Sequence, residues 1–238
     1  MISFFRKIRQ KLLQQNRVTQ YLTYAIGEIA LVMIGILLAL QVNNWNENRK
    51  ARTFETEILS LIDQNLTRDS VLIATELQNA ILAVQLTDSI LNQIERGIYD
   101  ERLNVWMGKV VTFERFKSQS SAFEVLKSKG IGTISDKDLQ LNLISYYDET
   151  LFRVYEALND VEDFFNGDWI PVIKNEFNDF SYRVRMEPRN PILFFENPSS
   201  IVLFKLYKDN REQGSVRRMK TALDEISKLR ILIKKQNP

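Results

Sequence analysis

The chain has 238 residues, 32 of them Lys or Arg and 30 Asp or Glu, for a formal charge of +2. It contains neither histidine nor cysteine. That removes thiol nucleophiles, imidazole bases, disulfides, lipoprotein anchoring and nearly every transition-metal site, and the weak net charge argues against a general nucleic-acid binder.

In chain order, the first element is a basic head, residues 1–20, carrying Arg6, Lys7, Arg9, Lys11 and Arg17 with no acid. Ile2, Phe5, Ile8 and Leu12 fall at helical spacing. Two readings stand side by side: an amphipathic helix on an anionic leaflet, or a solvated tail that obeys the positive-inside rule. The next element, residues 21–42, is an apolar run interrupted by one carboxylate, Glu28. As a helix it is roughly 33 Å long, enough for a hydrocarbon layer of about 30 Å. Beyond it Arg49, Lys50 and Arg52 are balanced by Glu47, Glu55 and Glu57. The Lys and Arg bias therefore places the head in the cytoplasm and the larger part outside. Ala39-Leu40-Gln41 lacks the small-residue pair of a peptidase site, so an uncleaved signal anchor is expected.

Within this run Glu28 is the sharpest candidate, because a charged carboxylate at the centre of a span costs about 2.5 to 3.5 kcal/mol on insertion scales. Gly35 and Ala39 follow on the same helix face, with Gly27 adjacent, forming a small-residue strip suited to helix packing. Glu28 is then either a proton-titrating group or a hydrogen-bonded contact between copies. Asn43, Asn44 and Trp45 supply amides and an indole at headgroup depth, as an interface anchor would.

Residues 43–238 read as one extramembrane helical bundle. The series Leu66, Ile73, Leu77, Ala80, Ile81, Val84, Leu91 and Ile94, with Thr87 as a polar member, suggests a heptad seam that stops at Gly97. No helix breaker lies between Trp45 and Leu66, so the span is expected to run into this helix without interruption. Ser121 and Glu124 suggest a capping box for a helix over 122–129, closed by Gly130. A second seam, Ile144, Tyr147, Leu151, Val154, Leu158, Val161 and Phe165, is expected to begin near Ser135 and end at Gly167. From 169 to 207, four prolines interleaved with aromatics predict loops and short helices and no strand. The last helix carries Val216, Met219, Leu223, Ile226 and Ile233, with eight basic residues from Arg211 onward against three acids. The carboxylates Asp160, Glu162, Asp163 and Asp168 read as a solvated helix face, since two catalytic acids would need a cleft between them.

The stretches Phe4-Phe5-Arg6-Lys7-Ile8-Arg9, Tyr24-Ala25-Ile26-Gly27-Glu28-Ile29, Ile34-Gly35-Ile36-Leu37 and Ala39-Leu40-Gln41-Val42-Asn43-Asn44-Trp45-Asn46-Glu47 resemble the N-terminal signature of an uncharacterised bacterial family of single-pass membrane proteins, found mainly in bacteroidetes. Ala122-Phe123-Glu124-Val125-Leu126-Lys127-Ser128, with Asp138, Leu139 and Tyr146-Tyr147, is similar to that family's middle motif. Lys129 intervenes between that motif's serine and glycine, and Ala30 and Met33 replace bulkier aliphatics. The resemblance implies an inner-membrane protein with a domain of unknown function and supplies no activity.

The expected fold is all-α: an amphipathic head helix, one transmembrane helix and an outer bundle of long heptad-patterned helices. The expected role is non-enzymatic, as a scaffold or partner-binding module self-associating through the Glu28/Gly35 face. Membrane lipid and a second copy or another membrane protein are the expected partners, with no nucleic acid, metal or cofactor. The alternatives are an ion-coupled subunit of a membrane complex and a periplasmic sensor working with a separate partner.

Overall fold

The structure is a computed structural model that describes residue 10 and residues 18–236. The head helix expected at 1–20 falls almost entirely outside the described residues. The fold is all-α with one short hairpin, and the chain divides into two compact units, residues 1–54 and 55–238.

Helix α1 spans Val18–Glu95, so no break separates the apolar run from the first outer helix. Glycine ends it, with Gly97 at φ 64° supplying the left-handed conformation that other residues adopt only at a cost. Every Leu, Ile, Val and Met from Leu22 to Val42 is exposed. This part of α1 is the one helix among the described residues that is long and apolar enough to cross a membrane.

From Glu55 onward α1 buries a strict heptad seam: Leu59, Ile62, Leu66, Asp69, Ile73, Glu76, Ala80, Ala83, Thr87 and Ile90. The spacing reading had Leu66, Ile73, Ala80 and Thr87 right. It replaced the rest of the seam with Leu77, Ile81, Val84, Leu91 and Ile94, which are only half-buried. Two of the seam positions absent from that series, Asp69 and Glu76, are acids, which a search for apolar residues passes over.

Two short helices follow, α2 (Arg102–Val110) and α3 (Ser121–Lys129), joined by a strap without regular structure, residues 111–120. Gly130 closes α3 at φ 102°, as expected, but Ser121 is its first residue and Ser120 precedes it without a side-chain cap. Next comes a long helical run, α4 (Lys137–Ile144), α5 (Leu151–Phe164) and α6 (Ile170–Glu176), continuous through π-helical turns at Ser145–Thr150 and Phe165–Trp169. Asp136 caps it, accepting from the backbone N–H groups of Asp138 and Leu139, where Ser135 was expected. The seam is buried from Tyr147 to Phe165, whereas Ile144 gives way to Leu143 because the π turn adds a residue and shifts the register. Gly167 does not end the helix; it lies inside the second π turn.

The segment from 177 departs from expectation. β1 (Phe177–Ser181) and β2 (Arg185–Pro188) pair antiparallel, and Pro188 sits at the strand's last position, where a missing N–H does little harm. Pro191 and Pro198 then open α7 (Pro191–Glu196) and α8 (Pro198–Asp209), each behind an Asn whose side chain caps the helix. A third π turn, Asn210–Val216, leads into α9 (Arg217–Gln236), which packs on α4, α5 and the first π turn. The predicted α9 seam is buried at Val216, Met219, Ile226 and Ile233, with Ala222 and Leu229 added and Leu223 half-covered.

Aromatic side chains fill the core where the hairpin, α6, α7 and α8 meet. Trp169 is fully buried, with Phe204 edge-on at 5.1 Å between centroids and Phe177 against Phe194 at 4.9 Å.

Candidate functional site

The sequence singles out two places, and the structure adds a third that periodicity does not reveal. On the apolar part of α1, Gly27 and Gly35 have open space around them: a Cβ at either would meet nothing within 4 Å. Neither glycine is needed for packing within the chain. Glu28 is half-buried in a shallow depression with Ala25, Ile29, Val32 and Met33. Ala39, Asn43 and Asn44 are exposed, as is Trp45, whose ring lies 5.6 Å from the Arg49 guanidinium carbon. All these residues belong to one helix, and their shared faces follow from its periodicity.

The acids Asp160, Asp163 and Asp168 are exposed, and Glu162 pairs with Arg115. They form a charged face without a cleft. Among the described residues no group of three or more carboxylates is arranged to hold a metal ion.

The third place is the strap between α2 and α3. A segment outside any helix or sheet leaves its backbone N–H and C=O groups in need of partners, and side chains from several elements supply them. Asp69 accepts from the Ser118 hydroxyl and, at 2.9 Å, from the Gln119 backbone N–H. The Ser118 backbone N–H donates to the Tyr155 hydroxyl at 3.0 Å. The Tyr182 hydroxyl meets both backbone groups of Phe113, accepting at 3.0 Å and donating at 2.9 Å. Arg211, 1% exposed, donates to the Thr112 carbonyl and to the Tyr207 hydroxyl at 3.2 Å. Arg183 pairs with Glu114.

Asp69, Glu76 and Arg211 are thus buried ionisable groups gathered around the irregular strap. Burial pushes the Asp69 carboxyl up from its ordinary range, with the Ser118 and Gln119 hydrogen bonds working against the shift. Burial raises Glu76 as well, opposed by Asn79, by the positive charge of Arg211 and by the Glu114 backbone N–H. Tyr146 and Tyr147, buried near Asp69, are also pushed up, first by burial and then by that carboxylate.

The hairpin reaches the strap by a close approach that sequence reading missed. A Cβ on Gly108 of α2 would lie 2.5 Å from the Arg185 backbone nitrogen, so only glycine allows α2 to meet β2 at this distance. The turn beyond carries Arg183 at φ 67°, the one described non-glycine residue in left-handed conformation. No family model matches the chain, and neither a curated protein nor a solved structure matches it.

Proposed function

We propose that this chain is a non-enzymatic, single-pass protein of a bacterial inner membrane, with residues 1–20 cytoplasmic and the helical domain in the periplasm. The domain serves as a scaffold or partner-binding module, and copies associate through the Glu28/Gly35 face. The observation that carries the reading is the exposure of every Leu, Ile, Val and Met side chain from Leu22 to Val42, with open space at Gly27 and Gly35. A bilayer accounts for the exposure, and a second helix packed closely against the strip accounts for the glycines. The buried charges of the outer unit support a structural role there, because Asp69 and Arg211 both bind the strap's own polar groups.

The test is purification of the tagged full-length protein in gentle detergent, weighing the complex and identifying its members by mass spectrometry. A homo-oligomer is expected. Gly35→Leu is expected to dissociate it, and Glu28→Gln, which keeps hydrogen bonding, to leave it intact. A monomer, or a stoichiometric multi-span partner with activity abolished by Glu28→Gln, would overturn the reading.

A further inference from the structure

A cavity of about 220 Å³ lies beside the strap, with Glu76 and Asn79 of α1, Lys109 of α2, Thr112 and Glu114 of the strap and Arg183 of the hairpin turn among its lining residues. Three observations set it apart from a packing defect. Glu76 is 3% exposed at a heptad core position where an aliphatic side chain would ordinarily pack. Asp69, seven residues earlier, has both oxygens occupied by close donors from the strap, whereas Glu76 meets the Glu114 backbone N–H and, as its side-chain donor, Asn79 at a long 3.4 Å. Arg183 reaches the cavity from the turn of the hairpin, in left-handed backbone conformation.

The charge pattern indicates the occupant. Arg183 and Glu114 pair and cancel each other. There remain Glu76, on which the charge of Arg211 acts while the Arg211 hydrogen bonds go to Thr112 and Tyr207, and the exposed ammonium of Lys109, which forms no ion pair among the described residues. We propose that the cavity binds a small zwitterion bearing a primary amine and a carboxylate, the amine against Glu76 and the carboxylate against Lys109. An ammonium brings three donors, enough for the Glu76 carboxylate, the Asn79 carbonyl and the Thr112 hydroxyl. A simple anion is repelled by Glu76, and a simple cation leaves Lys109 without a counter-charge. The volume, below the range of about 300 to 1,000 Å³ typical of larger ligand pockets, restricts the molecule to a small one.

The site lies wholly in residues 76–183 and stands whether or not the chain self-associates. Isothermal titration of the full-length protein in detergent tests it, using glycine, 3-aminopropanoate, 4-aminobutanoate and 6-aminohexanoate, with n-butylamine and butyrate as single-charge controls. The expected result is that one chain length binds at least about tenfold more tightly than either control, a difference of about 1.4 kcal/mol. Lys109→Ala, a change at an exposed position, should bring that zwitterion down to the level of butylamine while leaving the ligand-free melting temperature unchanged. Glu76→Gln should abolish binding if the variant folds. Binding of butylamine as tight as that of the best zwitterion, unaltered affinity in Lys109→Ala, or no binding of any member of the series to folded protein at millimolar concentration would each overturn the proposal.

Discussion

The two units bury apolar surface in opposite ways although one helix runs through both. From Leu22 to Val42 α1 has large aliphatic side chains on all faces and every one is exposed; from Leu59 to Ile90 it has a seam and the seam is covered. A helix that is apolar all round needs an apolar surrounding, whereas an amphipathic one needs a partner element. The outer seam also tolerates acids, because the elements packed on it bring donors. The difference predicts that the same substitution has unlike consequences in the two regions.

The largest contrast is between Ile73→Arg and Ile34→Arg. Ile73 is fully buried in the seam, and an unpaired cation there should unfold the outer unit, a loss of more than about 4 kcal/mol. Ile34 is exposed, and in the membrane span proposed above arginine at this position costs only the insertion penalty, about 2.5 to 3.5 kcal/mol. Circular dichroism melting should show the outer unit lost in the first variant and unchanged in the second, with membrane partitioning reduced only in the second. Equal melting curves would erase the distinction between the regions.

Asp69→Ala comes next. It leaves the buried Ser118 hydroxyl without its acceptor and breaks the part-buried bond from the Gln119 N–H, a loss of roughly 3 kcal/mol. Combining it with Ser118→Ala should cost less than the sum of the single changes, because one of the orphaned donors is gone. Strict additivity in urea denaturation would mean that Asp69 does not hold the strap.

How much of this was legible in the sequence follows from the range of each interaction. The apolar run, the stops at Gly97 and Gly130 and the Tyr147–Phe165 seam depend on neighbours within a turn or two, and periodicity reveals them. Asp69 and Glu76 do not fit a search for apolar residues, since the groups that justify Asp69 lie about fifty positions away in the strap. The hairpin lacked the usual cue, because its turn is Tyr182-Arg183-Val184 with no glycine or asparagine at the left-handed position. Gly108 looks like any helical glycine until β2 is placed against it. The Glu28/Gly35 face was legible as a pattern because its members share one helix. The cavity at Glu76 was not, because four separate parts of the chain close it.

Gly108→Ala probes that long-range contact and should cost about 1 to 3 kcal/mol, since the new methyl meets backbone and not a movable side chain. Gly35→Ala, where a Cβ finds open space, should leave the outer unit's melting temperature unchanged. A Gly108→Ala variant with wild-type stability would show that α2 and β2 do not approach so closely.

The smallest effect is the pH dependence of the outer unit, and its sign separates the seam acids from the surface ones. Asp69 and Glu76 are both raised by burial, so the folded state holds their protons at a higher pH than the unfolded chain does. Their contribution to stability therefore grows as the pH falls from neutral through the raised values, and it is complete below the ordinary carboxylate range near 4. Glu162, lowered by its hydrogen bond to Arg115, has the opposite sign and loses its contribution as the pH falls through its folded value. That pair is largely exposed on the arginine side and is screened by solvent, so the buried acids set the slope at mildly acidic pH. Urea midpoints should therefore rise modestly as the pH is lowered from 7 toward 5. Glu76→Gln, which removes the charge and keeps the shape, should flatten that rise and lift the midpoint at pH 7. A midpoint that falls over the same interval in wild type, or a slope that survives Glu76→Gln undiminished, would show that the seam carboxylates are not held against ionisation by burial.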